Sequence, residues 1–167
     1  MSIRQYKISV IIPVYNEQDT IMPILKKVNE QKIDDVEFEI IAIDDGSTDN
    51  SLKILEEHSS LFHELINLEK NSGKGAAVRE GLKSATGDYI LFQDADMEYD
   101  PSEYRKLLEP IIKQNADIVM GSRLMTSSST RRGGYSRNRI GNNFITFLFN
   151  LLNHTTFTDI YSGYLIF

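Results

Sequence analysis

The sequence contains no cysteine, which excludes disulfides and any thiolate-bound zinc site. Its three histidines, His58, His63 and His154, are too scattered for a histidine-based metal motif. A metal ion bound by this chain must therefore be held by oxygen. No stretch reaches the roughly 18 apolar residues that span a bilayer, FITFLFNLL at 144–152 being the nearest. The N-terminal MSIRQYKISVIIPVY carries charge in its first residues, is broken by Pro13 and has no small-residue cleavage site after it. It reads as a first strand and not as a secretory leader, so a cytoplasmic chain, soluble or lying at a membrane interface, is expected. Acidic residues are missing from 118 to 158. Residues 1–117 hold 23 Asp and Glu against 13 Lys and Arg, whereas 118–167 hold five Arg and one Asp, so the net charge of −6 conceals two sections of opposite sign. The basic section suits a phosphate-bearing or anionic-surface partner, or is a solvated loop.

At 167 residues the chain fits one domain, and a chain of this size buries about 70% of its unfolded surface. YKISVIIPVY (6–15) reads as a central strand. Ile21, Ile24, Leu25 and Val28 fall at helical spacing after a cap at Asp19 or Thr20, with Pro23 tolerated in the first turn. VEFEIIAID (36–44) is a second strand, and Asp49 can cap a helix running to about Ser59. LINL (65–68) is a third strand, and NSGKGAAVREGLKSATG carries a helix ending near Gly87. YILFQD (89–94) is a fourth strand. DPSEYRKLLEPIIK is a helix with Asp100 as cap, Pro101 in first position and Glu103 closing a capping box. ADIVMGS (116–122) is a fifth strand, 123–137 a mobile loop, 140–153 a helix and YLIF a last strand that the chain's end cuts off. Strands alternating with helices imply an α/β fold, a mostly parallel Rossmann-like sheet covered on both faces. Ligands of such sheets sit beyond the carboxyl ends of the strands, where DDGSTD, GKG, DAD and GSR should converge.

Each of these segments has a chemistry. Asp94, Asp96 and Glu98 stand two residues apart at the end of a strand, where alternate carboxylates can reach one hard cation. Counting Asp94 as position 1 puts Tyr99 where an EF-hand needs Gly and Arg105 where it needs Glu, which excludes that motif. One to three carboxylates suit Mg²⁺ or Mn²⁺ that completes its shell with phosphate oxygens and water. The bland alternative makes these acids caps and surface residues, and it is accepted for Asp100. GKGAAVREG is neither a dinucleotide fingerprint, because Val78 stands at the third glycine position, nor a P-loop, because Gly75 follows Lys74. Lys74 ahead of a helix nonetheless offers charge and free N–H groups to a phosphate or ribose, unless it is a solvated lysine at a glycine helix start. In DDGSTD, Gly46 permits a tight turn. Two successive acids at a strand's carboxyl end, Asp44 and Asp45, force one to point inward unless it accepts hydrogen bonds from a ligand. Asp45 is the expected nucleoside contact.

VIIPVYNE, DDGSTD, GKGAAVREG, QDADMEYDP and GSR occur in the order and spacing of family 2 glycosyltransferases of the GT-A fold. More narrowly the chain resembles the branch that moves a sugar from a nucleotide donor to a polyprenyl phosphate, the dolichol-phosphate mannose and glucose synthases. The resemblance covers residues 8–167. It implies that Pro13, Tyr15, Glu17, Asp45, Gly46, Lys74 and Asp94 bind the nucleotide-sugar, with Asp94 and Asp96 as the metal-binding DXD pair and Glu98 joining them. It implies that Arg123, with Arg137 or Arg139, holds an acceptor phosphate. TDIYSGYLIF resembles the branch's Asp-x-x-x-x-Gly segment, with Tyr161 where Gln, Thr or Glu is more usual, and makes Asp159 the candidate base or positioning residue.

The implied reaction is an inverting, metal-dependent, in-line transfer from a UDP- or GDP-linked sugar to a polyprenyl or dolichyl phosphate. Two alternatives stay open: a saccharide hydroxyl as acceptor, and a fragment that binds nucleotide-sugar without turnover. One GT-A domain over 1–167, truncated at its C-terminal end, is expected, with no nucleic-acid partner. The basic loop followed by Phe144, Phe147, Leu148, Leu151 and Leu152 suits an enzyme peripheral to the cytoplasmic face of a membrane, or a core helix packed on the sheet, and both hold if one face packs and another dips.

Overall fold

The computed structural model describes residues 5–122, 136–160 and 162–167, with 136–140 described by backbone alone. Its first half alternates strand and helix: β1 (Tyr6–Val14), α1 (Ile21–Asn29), β2 (Val36–Asp44), α2 (Ser51–Glu57), β3 (Glu64–Asn67), α3 (Lys74–Ser84) and β4 (Tyr89–Phe92). Then come α4 (Tyr104–Gln114), β5 (Val119–Met120), α5 (Ser136–Asn153) and β6 (Leu165–Ile166). One sheet of six strands has the order β3-β2-β1-β4-β6-β5. The first four strands of that order are parallel, whereas β6 is antiparallel to both β4 and β5. The mostly parallel sheet expected from the alternating pattern is therefore present. The terminal YLIF segment fills the place between β4 and β5 instead of extending an edge.

β1 runs nine residues, through Pro13. The Ile11 carbonyl accepts from Gln93 on the β4 side, and the Val14 carbonyl accepts from Asp45 on the β2 side. This alternation puts the missing N–H of Pro13 on the β4 side, beyond the last pair, Ile11 with Phe92. A proline costs nothing to a ladder that has already ended.

Two apolar layers cover the sheet. On one face Ile8, Val10, Ile12 and Val14 meet Ile21, Ile24, Leu25 and Val28 of α1 and Tyr104, Leu108 and Ile111 of α4. On the other, Ile11, Ile41 and Ile43 pack with Ala77 of α3. Gly81 of α3 rides close to the sheet, since a Cβ there would lie 2.8 Å from Ile43 Cδ1.

Helix starts differ from expectation in detail. Thr20 occupies the N-cap position of α1 without capping it; its hydroxyl donates to the Glu17 carboxylate at 2.5 Å. Asn50, not Asp49, precedes α2, although Asp49 Oδ1 still accepts the Ser51 N–H at 2.9 Å. α2 stops at Glu57, and Ser59–Leu61 forms a separate 3₁₀ turn. Asp100 caps a 3₁₀ turn, Pro101–Glu103, that leads into α4. Glu103 pairs with Lys106 at 3.4 Å and not back toward Asp100. β5 is two residues long where seven were expected, and α5 begins at Ser136, inside the expected loop.

Candidate active site

The carboxyl ends of β1, β2 and β4 lie side by side, and the segments singled out in the sequence follow them. Loop 15–18 and loop 47–51 are knitted together. Asn16, at φ 56°, accepts the Thr48 N–H at 2.8 Å on its side-chain oxygen, and its own N–H donates to Ser47 Oγ at 3.1 Å. Glu17 N–H donates to Ser51 Oγ at 2.8 Å. Tyr15 beside them is 44% exposed, and Pro13 is half-buried. Asn16, Thr48 and Ser51 were not singled out from the sequence. Their signal was the density of small hydrogen-bonding side chains in VYNE and DDGSTDNS.

Both acids of the Asp44–Asp45 pair are buried. Asp45 accepts the Ser72 N–H at 2.9 Å on one oxygen and the Gly73 N–H at 2.8 Å on the other. It thereby ties the end of β2 to the loop that opens α3. Gly46, at φ 66°, is pressed on the same loop: a Cβ there would stand 2.6 Å from Asn71 N. Asp44 accepts the Ser47 N–H at 2.9 Å on Oδ2, while its Oδ1 is buried with no hydrogen-bond partner among the described residues. A buried acceptor left open is costly, and this one stands at the rim where ligands of parallel sheets bind.

Lys74 is the first residue of α3, and its ammonium pairs with Asp94 Oδ1 at the end of β4. The Asp94 side chain is 17% exposed, and on its other side a Cβ at Gly163 would lie 3.6 Å from Oδ2. Asp96 and Glu98 are exposed, and Asp96 Oδ1 accepts the Glu98 N–H at 2.9 Å in a local turn. Met97 between them sits at φ 63°. Among the described residues no three carboxylates or histidines gather into a metal cage. Asp94, Asp96 and Glu98 thus do not form a preassembled trio, because close carboxylates repel and Asp94 has an ammonium as its neighbour. The donor set, hard oxygens at two or three positions along one loop, fits Mg²⁺ or Mn²⁺ taking its remaining ligands from phosphate and water.

Under that loop lies a network the sequence reading missed. Gln93 is fully buried; its amide N–H groups donate to the carbonyls of Asp94 and Tyr99 at 2.9 and 3.0 Å. The hydroxyl of Tyr104, fully buried in α4, donates to Gln93 Oε1 at 3.0 Å. Burial and the neighbouring Tyr164 push the Tyr104 phenol well above its ordinary pKa, so it stays a donor. Tyr99 stacks on Tyr164 with ring centres 4.8 Å apart, and its oxygen accepts the Gly163 N–H at 2.8 Å. A glutamine and tyrosines in apolar runs look like core, so only their pairing in space reveals the bracket.

Asp159 is 6% exposed, in the segment between α5 and β6. Arg123 and Tyr161 lie outside the described residues; Arg137 and Arg139 belong to the first turn of α5, whose side chains are likewise outside them. The rest of α5 leaves its apolar side chains on the surface, Phe144 and Phe147 at 61% and Leu152 at 78% exposure, with Thr146 buried. Among the described residues, the apolar side chains of this helix are therefore mostly not packed on the sheet. No helix of the described residues is long and apolar enough to cross a membrane.

The sequence model described as Glycosyl transferase family 2 matches residues 9–166. The chain belongs to this family. It is 33% identical, over 80% of its own length, to the dolichol-phosphate mannosyltransferase of Pyrococcus furiosus, of which it covers 38%. It spans well under half of the first curated relatives it matches, 38%, 36% and 19%. Among solved structures, S. aureus TarS 1-349 in complex with UDP-GlcNAc superposes with a TM-score of 0.59 at 32% identity, over 67% of this chain and 33% of that one. Glucosyl-3-phosphoglycerate synthase from Mycobacterium tuberculosis, crystallised with Mn²⁺, UDP and glucosyl-3-phosphoglycerate, superposes with a TM-score of 0.70 over 96% of this chain and 56% of that one. At 22% identity the second likeness speaks for the fold alone. The fold is the GT-A glycosyltransferase fold expected from the sequence, with one antiparallel strand inserted in a parallel sheet.

Proposed function

We propose that this domain transfers a sugar from a UDP- or GDP-linked donor to a polyprenyl-type phosphate at a membrane surface. The observation that carries the reading is the meeting of Lys74 and Asp94 at one rim with the Asp45-bound loop. A lysine, a helix start and a DXD pair on one edge make a site for a diphosphate. The likeness to a dolichol-phosphate mannosyltransferase supports the lipid-phosphate acceptor.

The nucleoside would enter between the knitted loops after β1 and β2, over Pro13, Tyr15 and Glu17. There the open Asp44 Oδ1 can accept a base or ribose donor, while Asp45 holds the α3 loop in place. Asp94 and Asp96, with Glu98, would hold a divalent ion, which supplies charge stabilisation to the departing diphosphate. Lys74 adds a second positive charge on the same side. Arg123, with Arg137 or Arg139, would bind the acceptor phosphate, which is already ionised near neutral pH and needs no base, so Asp159 would position groups and not take a proton.

The exposed apolar side of α5 faces an anionic lipid surface in this reading. The charge complementarity is direct: residues 118–158 hold five arginines and no acid, which draws the segment to anionic headgroups while Phe144, Phe147, Leu151 and Leu152 enter the interface. A saccharide acceptor is the second reading, favoured by the 38% identity, over 69% of this chain, to the poly(ribitol-phosphate) beta-glucosyltransferase of Bacillus spizizenii. Incubation with UDP- and GDP-sugars, Mn²⁺ and vesicles carrying a polyprenyl phosphate decides between them. Label appearing in the lipid phase supports the first reading; transfer only to added glycans supports the second. Donor binding without either product leaves a nucleotide-sugar-binding fragment.

A further inference from the structure

The Lys74 ammonium stands on the same Asp94 oxygen that a divalent ion would need. The backbone that carries it is held in place. Lys74 opens α3, and the two residues ahead of it are held by both oxygens of Asp45 at 2.9 and 2.8 Å. Gly46 is pressed against Lys70 and Asn71 of the same loop, with no room for a Cβ. The lysine is thus aimed across the end of β1, which lies between β2 and β4 in the sheet, onto the aspartate at the end of β4. Asp94 is mostly buried and Lys74 is more than half exposed, so the lysine is free to leave and the aspartate is not.

We propose that Lys74 is a resident counter-ion of Asp94 that makes metal and nucleotide bind together and not separately. The inference rests on the metal-diphosphate reading of this rim. Without nucleotide, a divalent ion arriving alone must displace the ammonium and then sit beside a like charge. When a nucleoside diphosphate arrives with the ion, its phosphate oxygens give the displaced ammonium a new partner, and Asp94 passes to the metal. Lys74 is therefore a source of positive coupling between the two ligands: an obstacle to metal alone and a contact for the complex.

The test is Mn²⁺ binding followed by the loss of the free-ion EPR signal, with and without UDP or GDP, in wild type, Lys74→Met, Lys74→Arg and Asp94→Asn. The exposed Lys74 side chain can be replaced without opening the core, and a thermal melt verifies folding. Removing the like charge should tighten Mn²⁺ alone by about tenfold in Lys74→Met, weaken the nucleotide with Mn²⁺ present, and so shrink the coupling between them. Lys74→Arg, which keeps the charge, should retain the weak affinity for metal alone. If Asp94→Asn abolishes joint binding but Lys74→Met leaves the affinity for Mn²⁺ alone unchanged or lower, the counter-ion role is overturned while the site survives. If wild type shows no joint binding, or Asp94→Asn keeps it, both the role and the site fall.

Discussion

Asp45 at the end of β2 holds the backbone N–H of Gly73 at 2.8 Å, one residue ahead of the lysine that reaches Asp94. A residue expected from the sequence to touch the nucleoside is in this structure a clamp between two loops. Replacing it by alanine leaves the Ser72 N–H without its acceptor and the Gly73 N–H with Asn71 Oδ1 at 3.1 Å alone, at a cost of about 1–3 kcal/mol, and loosens the start of α3. The expected result for Asp45→Ala is a lower melting temperature together with donor affinity weakened by about tenfold or more. Unchanged nucleotide binding in calorimetry would show that the clamp is irrelevant to the site.

The bracket of Tyr104 and Gln93 supports the DXD loop from below. Tyr104→Phe keeps the ring and removes only the hydroxyl that donates to Gln93 at 3.0 Å, leaving a buried acceptor without its donor. The variant should lose on the order of 1–2 kcal/mol of stability in urea titration. A shift in metal-dependent nucleotide affinity should accompany the loss, because the freed glutamine also holds the Asp94 and Tyr99 carbonyls. A loss of stability with no shift in affinity would make the pair core packing alone.

A second polar cluster, away from the site, sets acid tolerance. Burial raises the Glu39 pKa, but the Lys7 ammonium, Ser9 Oγ and both the hydroxyl and the N–H of Thr86 outweigh it and hold the carboxyl at about 2. The Lys7 contact is 2.7 Å and the Glu39 side chain is 12% exposed. Because the folded pKa lies below the unfolded value of 4.5, the contribution is present above that value and is lost as pH falls from 4.5 toward 2. Wild type should exceed Glu39→Gln in stability near neutral pH by on the order of 2 kcal/mol, allowing for solvent screening of Lys7. The gap should close across that acid window. A gap that stays constant with pH would contradict the assignment.

The surface of α5 gives a prediction about lipid. Leu151 and Leu152 are 60% and 78% exposed, so charged replacements should leave folding intact. Leu151→Asp with Leu152→Asp should reduce co-sedimentation with vesicles rich in anionic lipid by about tenfold or more, and added salt should weaken wild-type binding. Equal binding of wild type and variant would remove the membrane role of this helix.

Much of the architecture was legible because it rests on local periodicity: Ile21, Ile24, Leu25 and Val28 announce α1, and all four are buried. The convergence of DDGSTD, GKG and DAD followed from the rule for parallel sheets, and the contacts of Asp45 and Lys74 join them. What was not legible depends on pairing between distant residues. The insertion of β6 between β4 and β5 rests on the pairs Leu91 with Ile166 and Val119 with Ile166, and a two-residue strand carries no periodic signal. The bracket of Gln93 and Tyr104 was hidden for the same reason, since each residue alone looks like core. The split of duties between Asp44 and Asp45 turns on side-chain direction at a strand end, which a run of two acids does not specify.

The central claim is that Asp94 and Asp96 bind a nucleoside diphosphate through a divalent ion. Isothermal titration of UDP and GDP into wild type and Asp96→Ala, each with and without Mn²⁺, tests it most directly. The account predicts metal-dependent binding of one of the two nucleotides in wild type. It also predicts a loss of about a hundredfold or more in Asp96→Ala, whose exposed side chain leaves the melting temperature unchanged. Equal affinity in wild type and variant, or wild-type binding indifferent to Mn²⁺, would contradict it.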